Sequence, residues 1–191
     1  MKLIMARKKQ YIETEVIEKA MHLFWKNGYE TTSMHQLEKE MGINKFSIYA
    51  SFGSKNGVFV ESLKCYQNKL NVLLTKLETA YPSKEAIRQY FYDFIEFSSE
   101  NGVGRGCLMT NTANEIREET DEQIKEILHT FTAKVRSLFA QIVAAFTGHD
   151  QETVNHKADY LIIAMFGLSS ATRFFGPEQI DNYIDTVLKN L

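Results

Sequence analysis

From Asn27 to Asn44 the chain ends one helix and starts two more, and this punctuation constrains the fold more than any other feature of its 191 residues. Val16, Ile17, Ala20, Met21, Leu23 and Phe24 recur at helical spacing until Asn27-Gly28, where a residue that turns left-handed cheaply ends the run. Thr31, Thr32 and Ser33 then offer capping hydroxyls. Ser33 stands three before Gln36 in a capping-box pattern, and Met34, Leu37 and Met41 make an apolar stripe that stops at Gly42. Only Gly42 and Ile43 separate that stripe from Asn44, a second good cap. In the segment after it Ile48, Tyr49 and Phe52 can pack while Lys45, Phe46, Ser47 and Ser51 face outward. Two short helices about a tight glycine turn are a helix-turn-helix.

The remainder continues in the same period. A long helix is expected from Lys55 toward Ala80, where Pro82 ends it, and others over about 83–98, 107–116, 121–146, 151–172 and 178–190, with a Gly-rich turn at 101–106. No internal repeat and no convincing strand pair interrupts them. The expected fold is all-α with about nine helices: a three-helix head over 1–55 and a larger helical sensing and dimerisation body over 56–191.

The whole-chain formal charge of -2 argues, taken alone, against a polyanionic partner. Its distribution argues the other way. Residues 1–55 carry nine Lys/Arg and six Asp/Glu, a net of +3, and residues 56–191 thirteen against eighteen, a net of -5. A cationic front on an anionic remainder suits a head that meets phosphates and a body that does not.

Several classes are set aside by composition and motif. Two cysteines, Cys65 and Cys107, make no disulfide scaffold, and the start MKLIMARKKQ has too short an apolar run for a secretory signal. No stretch reaches the length of a membrane span, so a cytoplasmic protein without membrane association is expected. The five histidines are scattered, so no metal site is expected, and no cofactor either. Neither a nucleophile elbow, a phosphate loop nor a dinucleotide fingerprint is present, so the chain is expected not to be an enzyme.

A reading helix needs a cap, small or polar side chains on its outer N-terminal face, and an apolar underside that holds it. Asn44 to Phe52 meets all three. Lys45 suits a base edge or a phosphate, Ser47 donates or accepts, and the Phe46 ring suits a thymine methyl.

Gly28-Tyr29, Thr31-Thr32, Leu37, Gly42-Ile43, Ile48-Tyr49, Phe52 and Ser54-Lys55 follow, in order and spacing, the N-terminal signature of the TetR family of transcriptional regulators, which the chain resembles over about residues 10–60. The body resembles the family only in length and helical pattern. The resemblance implies a homodimeric repressor that binds a palindromic double-stranded operator and is released when a small molecule or redox signal reaches its C-terminal domain. It also implies phosphate contacts from Tyr49, from Lys55 at the start of helix four, and from Thr32, with Ser33 beside it. Tyr49 also reads as a packed aromatic. The basic run ending in Lys8 and Lys9 reads either as an arm that reaches DNA or as a solvated tail. Ala50, Ser51 and Gly57 depart from the commonest family pattern, and Gly57 implies a soft start to helix four.

In the body, aromatic density beyond what a helix core needs points to a cavity, with Tyr90, Phe94 and Phe166 as candidate lining and plain core packing as the alternative. Cys107 follows Arg105-Gly106 at a helix start. There amide dipoles favour a thiolate, yet free cysteine is also a common core residue. The stretch Gly106-Cys107-Leu108 is similar to a family branch that includes sensors of electrophiles or oxidants, which implies Cys107 as a signal receiver. Ile162, Phe166 and Ser170 with Ile180, Ile184 and Val187 make the stripes expected at a dimer interface, or else close the chain's own core. A helical small-molecule-binding protein or enzyme with the head as scaffold, and a family member that activates, remain the competing readings.

Overall fold

The computed structural model describes residues 11–100 and 103–191. Among them are nine helices: α1 (Glu13–Asn27), α2 (Met34–Met41), α3 (Lys45–Phe52), α4 (Lys55–Thr79), α5 (Lys84–Phe97), α6 (Leu108–Glu115), α7 (Glu122–Thr147), α8 (Gln151–Ala171) and α9 (Pro177–Lys189). The fold is all-α apart from one short ladder. Two-residue strands, β1 (Ser99–Glu100) and β2 (Val103–Gly104), pair antiparallel with Ser99 opposite Gly104, so the Gly-rich turn expected between α5 and α6 is closed by a ladder too short to show as a period-two pattern. The cap of α7 is Asp121, whose carboxylate accepts from Gln123 N at 2.8 Å, while the Thr120 hydroxyl closes the preceding turn by accepting from Arg117 N.

The chain divides into two compact units, Met1–Cys65 and Tyr66–Leu191. In the first, the rings of Phe24 and Phe59 meet edge to face at 4.8 Å and Tyr29 lies 4.7 Å from Phe59, while Leu37, Met41 and Ile48 are buried beneath α2 and α3. Burying each such side chain contributes about 1.5–3 kcal/mol, which is what holds three helices of this length in place.

In the second unit Phe139 of α7 packs against Tyr90 and Phe91 of α5 with centroids 5.7 and 6.3 Å apart. Helix α9 lies against α5 and α8. Arg88 pairs with Asp185 at 2.5 Å, the Tyr92 hydroxyl donates to Asp181 at 2.7 Å, and the Tyr183 hydroxyl donates to the Ala164 carbonyl at 2.9 Å. This docking corrects the expected interface. Ile180, Ile184 and Val187 are buried within the chain itself, because the apolar stripe of α9 is spent on α5 and α8. No helix among the described residues is long and apolar enough to cross a membrane.

Candidate functional site

The head fixes its third helix through a chain of local bonds. Ser33 N donates to Gln36 Oε1 at 2.7 Å and Gln36 N to Ser33 Oγ at 3.2 Å, completing the capping box of α2. Gly42 ends α2 at φ 69°, the left-handed conformation that glycine adopts without steric cost, and its N–H donates to the Glu38 carbonyl. The Glu38 carboxylate in turn accepts from the Lys45 backbone N–H, tying the end of α2 to the first residue of α3. Asn44 Oδ1 caps α3 by accepting from Ser47 N at 2.8 Å. Glu38 carries no signal in the sequence beyond its place on a short polar helix.

Helix α3 then has two unlike faces. Ile48 is fully buried, whereas Lys45 is exposed, Phe46 is 82% exposed and Tyr49 is 44% exposed. The Phe46 ring is thus left almost wholly in water, opposite the buried side of the helix. Lys45 Nζ lies 5.8 Å from the Tyr49 ring centroid, which keeps a cation beside the phenol. Ser47 is half-buried, and its carbonyl accepts from the Tyr11 hydroxyl, which also bonds Ser51 Oγ at 2.7 Å. Tyr11 thus fastens the chain preceding α1 to α3. Ser51, small where the family pattern is often large, leaves room for that bond. Lys8 and Lys9 lie outside the described residues.

Two further positions differ from expectation. Thr32 is fully buried and its hydroxyl donates to the Gly28 carbonyl at 2.7 Å, so its side chain closes the turn after α1 instead of facing outward. Lys55 does sit at the start of α4, with Nζ 4.3 Å from the Tyr29 ring centroid and 3.4 Å from the Glu30 carbonyl oxygen. Gly57 is no soft spot. A Cβ there would fall 1.9 Å from the Phe52 carbonyl oxygen, so glycine is what lets the last turn of α3 approach α4.

The second unit encloses a cavity of about 40 Å³. Cys107, Tyr90, Phe94 and Phe166, four residues singled out separately in the sequence, all lie on its wall, and Ile162, expected at an interface, lies there too. No lining residue carries a formal charge. Cys107 is the N-cap of α6, and its N–H donates to Ser169 Oγ at 2.8 Å. Burial pushes its thiol up, outweighing the neighbouring polar groups that act in the opposite direction. The thiolate expected from a helix start is therefore disfavoured: the residue sits inside, where loss of water outweighs the amide dipoles.

Of the six residues expected at an interface, only Ser170 is on an open face. Ile163, Gly167 and Ser170 recur at intervals of four and three along α8, and Phe174 and Phe175 follow it; Ile163 is 70%, Phe174 86% and Phe175 58% exposed. On α9 the exposed Gln179, Asn182 and Thr186 are uncharged, beside the exposed and charged Glu178, Asp181 and Lys189.

Comparison with known proteins agrees with this geometry. Residues 16–61 match the family model described as bacterial regulatory proteins, tetR family. The chain is 30% identical over 112 residues to the HTH-type transcriptional regulator YezE of Bacillus subtilis, a match that spans 58% of each chain and so less than two thirds of that relative. It is 24% identical over 141 residues to IcaR of Staphylococcus aureus, the HTH-type negative transcriptional regulator of the biofilm operon icaADBC, covering 73% of this chain and 75% of IcaR. A cysteine-substituted CifR, a TetR family transcriptional regulator in complex with a 26-base-pair double-strand operator, has a similar fold: TM-score 0.82 and 23% identity, covering 96% of this chain and 98% of that one.

Proposed function

We propose that this chain, whose residues 16–61 belong to the bacterial tetR regulatory family, is as a whole a homodimeric repressor that reads a two-fold operator and leaves it when its second unit takes up a small effector. The observation that carries the DNA-binding part is the asymmetry of α3: Lys45, Phe46 and Tyr49 open to solvent on a helix whose opposite side, Ile48, is fully buried and whose start is fixed by Asn44 and Glu38.

In this reading Lys45 and Phe46 reach base edges, with Ser47 beside them. Tyr49, Lys55 and the Ser33 hydroxyl hold phosphates and so set the register. Thr32 serves by shaping the turn. The net +3 of residues 1–55, with Lys8 and Lys9 among its cations, supplies the attraction. Operator binding by CifR and negative regulation by IcaR, as their names state, are consistent with the same role here.

One head on one half-site binds weakly, and a symmetric site asks for two copies. Ile163, Gly167 and Ser170 of α8, with Phe174 and Phe175 after it, offer an exposed stripe of small and apolar side chains, which suits a self-complementary helical interface. The effector's place is the uncharged cavity of the second unit. Reversible uptake is favoured over attack by an electrophile, because the only thiol on the cavity wall is buried and held protonated.

The test is selection of preferred duplexes from random DNA by the purified chain, followed by affinity measurements across a salt series. Enrichment of a palindrome, bound by two copies with a log-log salt slope equivalent to several phosphates, is the expected result. No enrichment, or binding by one copy without sequence preference, overturns it.

A further inference from the structure

The lining of the cavity in the second unit includes one phenol, Tyr90. Tyr90 is only 3% exposed and lines the cavity, yet its hydroxyl forms no hydrogen bond among the described residues. Ser169 Oγ, on the same wall, is engaged: it accepts from Cys107 N. Leaving a buried hydroxyl unsatisfied is costly, and a native interior tolerates it chiefly where a water or a ligand supplies the partner.

Building on the effector reading above, we propose that the cavity takes a compact, uncharged, mainly apolar molecule bearing one acceptor oxygen, and that Tyr90 recognises it by donating its hydroxyl proton to that oxygen. Three features set the class. With no formal charge on the wall, a carboxylate or an ammonium group has nothing to offset its loss of water. The remaining lining, Phe94, Leu128, Val135 and Met165 among it, favours hydrocarbon. The volume of about 40 Å³ is far below that of a cavity for a drug-sized ligand, so the fitting molecule is a small ring or short chain. Burial also keeps the Tyr90 phenol protonated, well above its ordinary range, which makes it a donor at any physiological pH. Binding is reversible, and no bond to Cys107 is made.

Calorimetric titration of the full-length chain with three probes of similar shape tests this. Cyclopentanone carries the acceptor oxygen, methylenecyclopentane replaces it by a methylene, and cyclopentylamine is charged at neutral pH. The expected result is binding of the ketone about 3- to 10-fold tighter than the alkene, and no binding of the amine. Tyr90→Phe should erase the ketone's advantage while leaving the alkene unchanged, since the hydroxyl it removes bonds nothing else among the described residues. Phe166→Trp, which fills the cavity, should weaken both.

Equal binding of ketone and alkene, equal weakening of both by Tyr90→Phe, or no binding of any probe overturns the proposal. If Tyr90→Phe fails to fold by circular dichroism, the ketone-alkene ratio in the unmodified chain and the weakening of both probes in Phe166→Trp still decide. The same preparation is tested on the selected duplex. A preference without DNA binding removes the regulator reading alone, and DNA binding without a preference removes the Tyr90 proposal alone.

Discussion

The backbone N–H of Cys107 donates to the hydroxyl of Ser169 at 2.8 Å, so the start of α6 is held directly by α8 across the cavity wall. Both residues are buried, and water does not replace the bond when it is lost. Ser169→Ala leaves a buried amide without its acceptor, which costs about 1–3 kcal/mol. The melting temperature should fall by several degrees, as read by differential scanning calorimetry. A variant that melts with the parent shows that the contact contributes nothing.

Burial raises the Cys107 thiol above its ordinary value, and this gives a pH dependence with a definite sign. The folded chain holds the proton more tightly than the unfolded one. The associated stability is full below the unfolded thiol's pKa, about 8.5, and is lost as pH rises toward the folded value. In a Cys65→Ser background, alkylation by iodoacetamide at pH 7 should run at least ~10-fold slower than for an unstructured cysteine peptide, and the rate should still be climbing above pH 9. A rate that levels off below pH 8 would mean an acidic thiol and reinstate the reactive-cysteine expectation.

On the head, Lys55 and Phe46 are assigned different work, so their removal should be distinguishable. Lys55→Ala removes a cation set over the Tyr29 ring, and should weaken all duplexes alike and lower the salt slope by about one. Phe46→Ala removes an exposed ring from the outer face of α3, and should change which bases are preferred while leaving the salt slope in place. Fluorescence anisotropy with the selected palindrome and single-base variants, over a salt series, separates the two. Identical profiles for both variants contradict the assignment.

The Tyr11 hydroxyl holds α3 through Ser51 Oγ and the Ser47 carbonyl. Tyr11→Phe keeps the ring and loses both bonds, each worth about 0.5–1.5 kcal/mol. Operator affinity should drop several-fold, with a smaller loss if Ser51→Ala has already been made, because the two residues share one of those bonds. A full additive loss in the double variant indicates that they act separately.

Much of this was legible in the sequence where local chemistry decides it. The caps at Ser33 and Asn44 and the glycine at 42 fixed α2 and α3 to the residue, since capping and left-handed turns depend on neighbours within four positions. Tyr90, Phe94 and Phe166, candidate lining in the sequence with core packing as the alternative, lie on the wall of the cavity. What the sequence could not reveal depends on tertiary partners. An apolar stripe such as Ile180, Ile184 and Val187 states that a face is buried, not whether its own chain or a second copy covers it. Helix-start electrostatics at Cys107 gave the wrong direction because depth within the bundle has no local signature. Thr32 and Tyr11 were misjudged or missed for the same reason: one hydroxyl turns inward to Gly28, and the other reaches 40 positions along the chain to Ser51.

Gly57 sets local propensity directly against packing. Alanine in the first turn of α4 should stabilise the helix by about 0.8–1 kcal/mol on propensity alone. Its Cβ would, however, lie 1.9 Å from the Phe52 carbonyl oxygen, a backbone atom at the end of α3 that no rotamer change can move. Relieving the overlap requires α3 and α4 to separate, at a cost on the order of 1–3 kcal/mol or more. The clash outweighs the propensity gain, so Gly57→Ala should lower the stability of the chain in urea denaturation. Because the displaced helix carries Lys45, Phe46 and Tyr49, operator affinity should fall further than stability does. Gly148→Ala serves as the control, being a glycine at φ 65° with nothing near its Cβ: it carries a conformational cost but no clash, and should leave DNA binding intact. A stabilised Gly57→Ala chain that still binds its palindrome would show that α3 does not depend on this close approach.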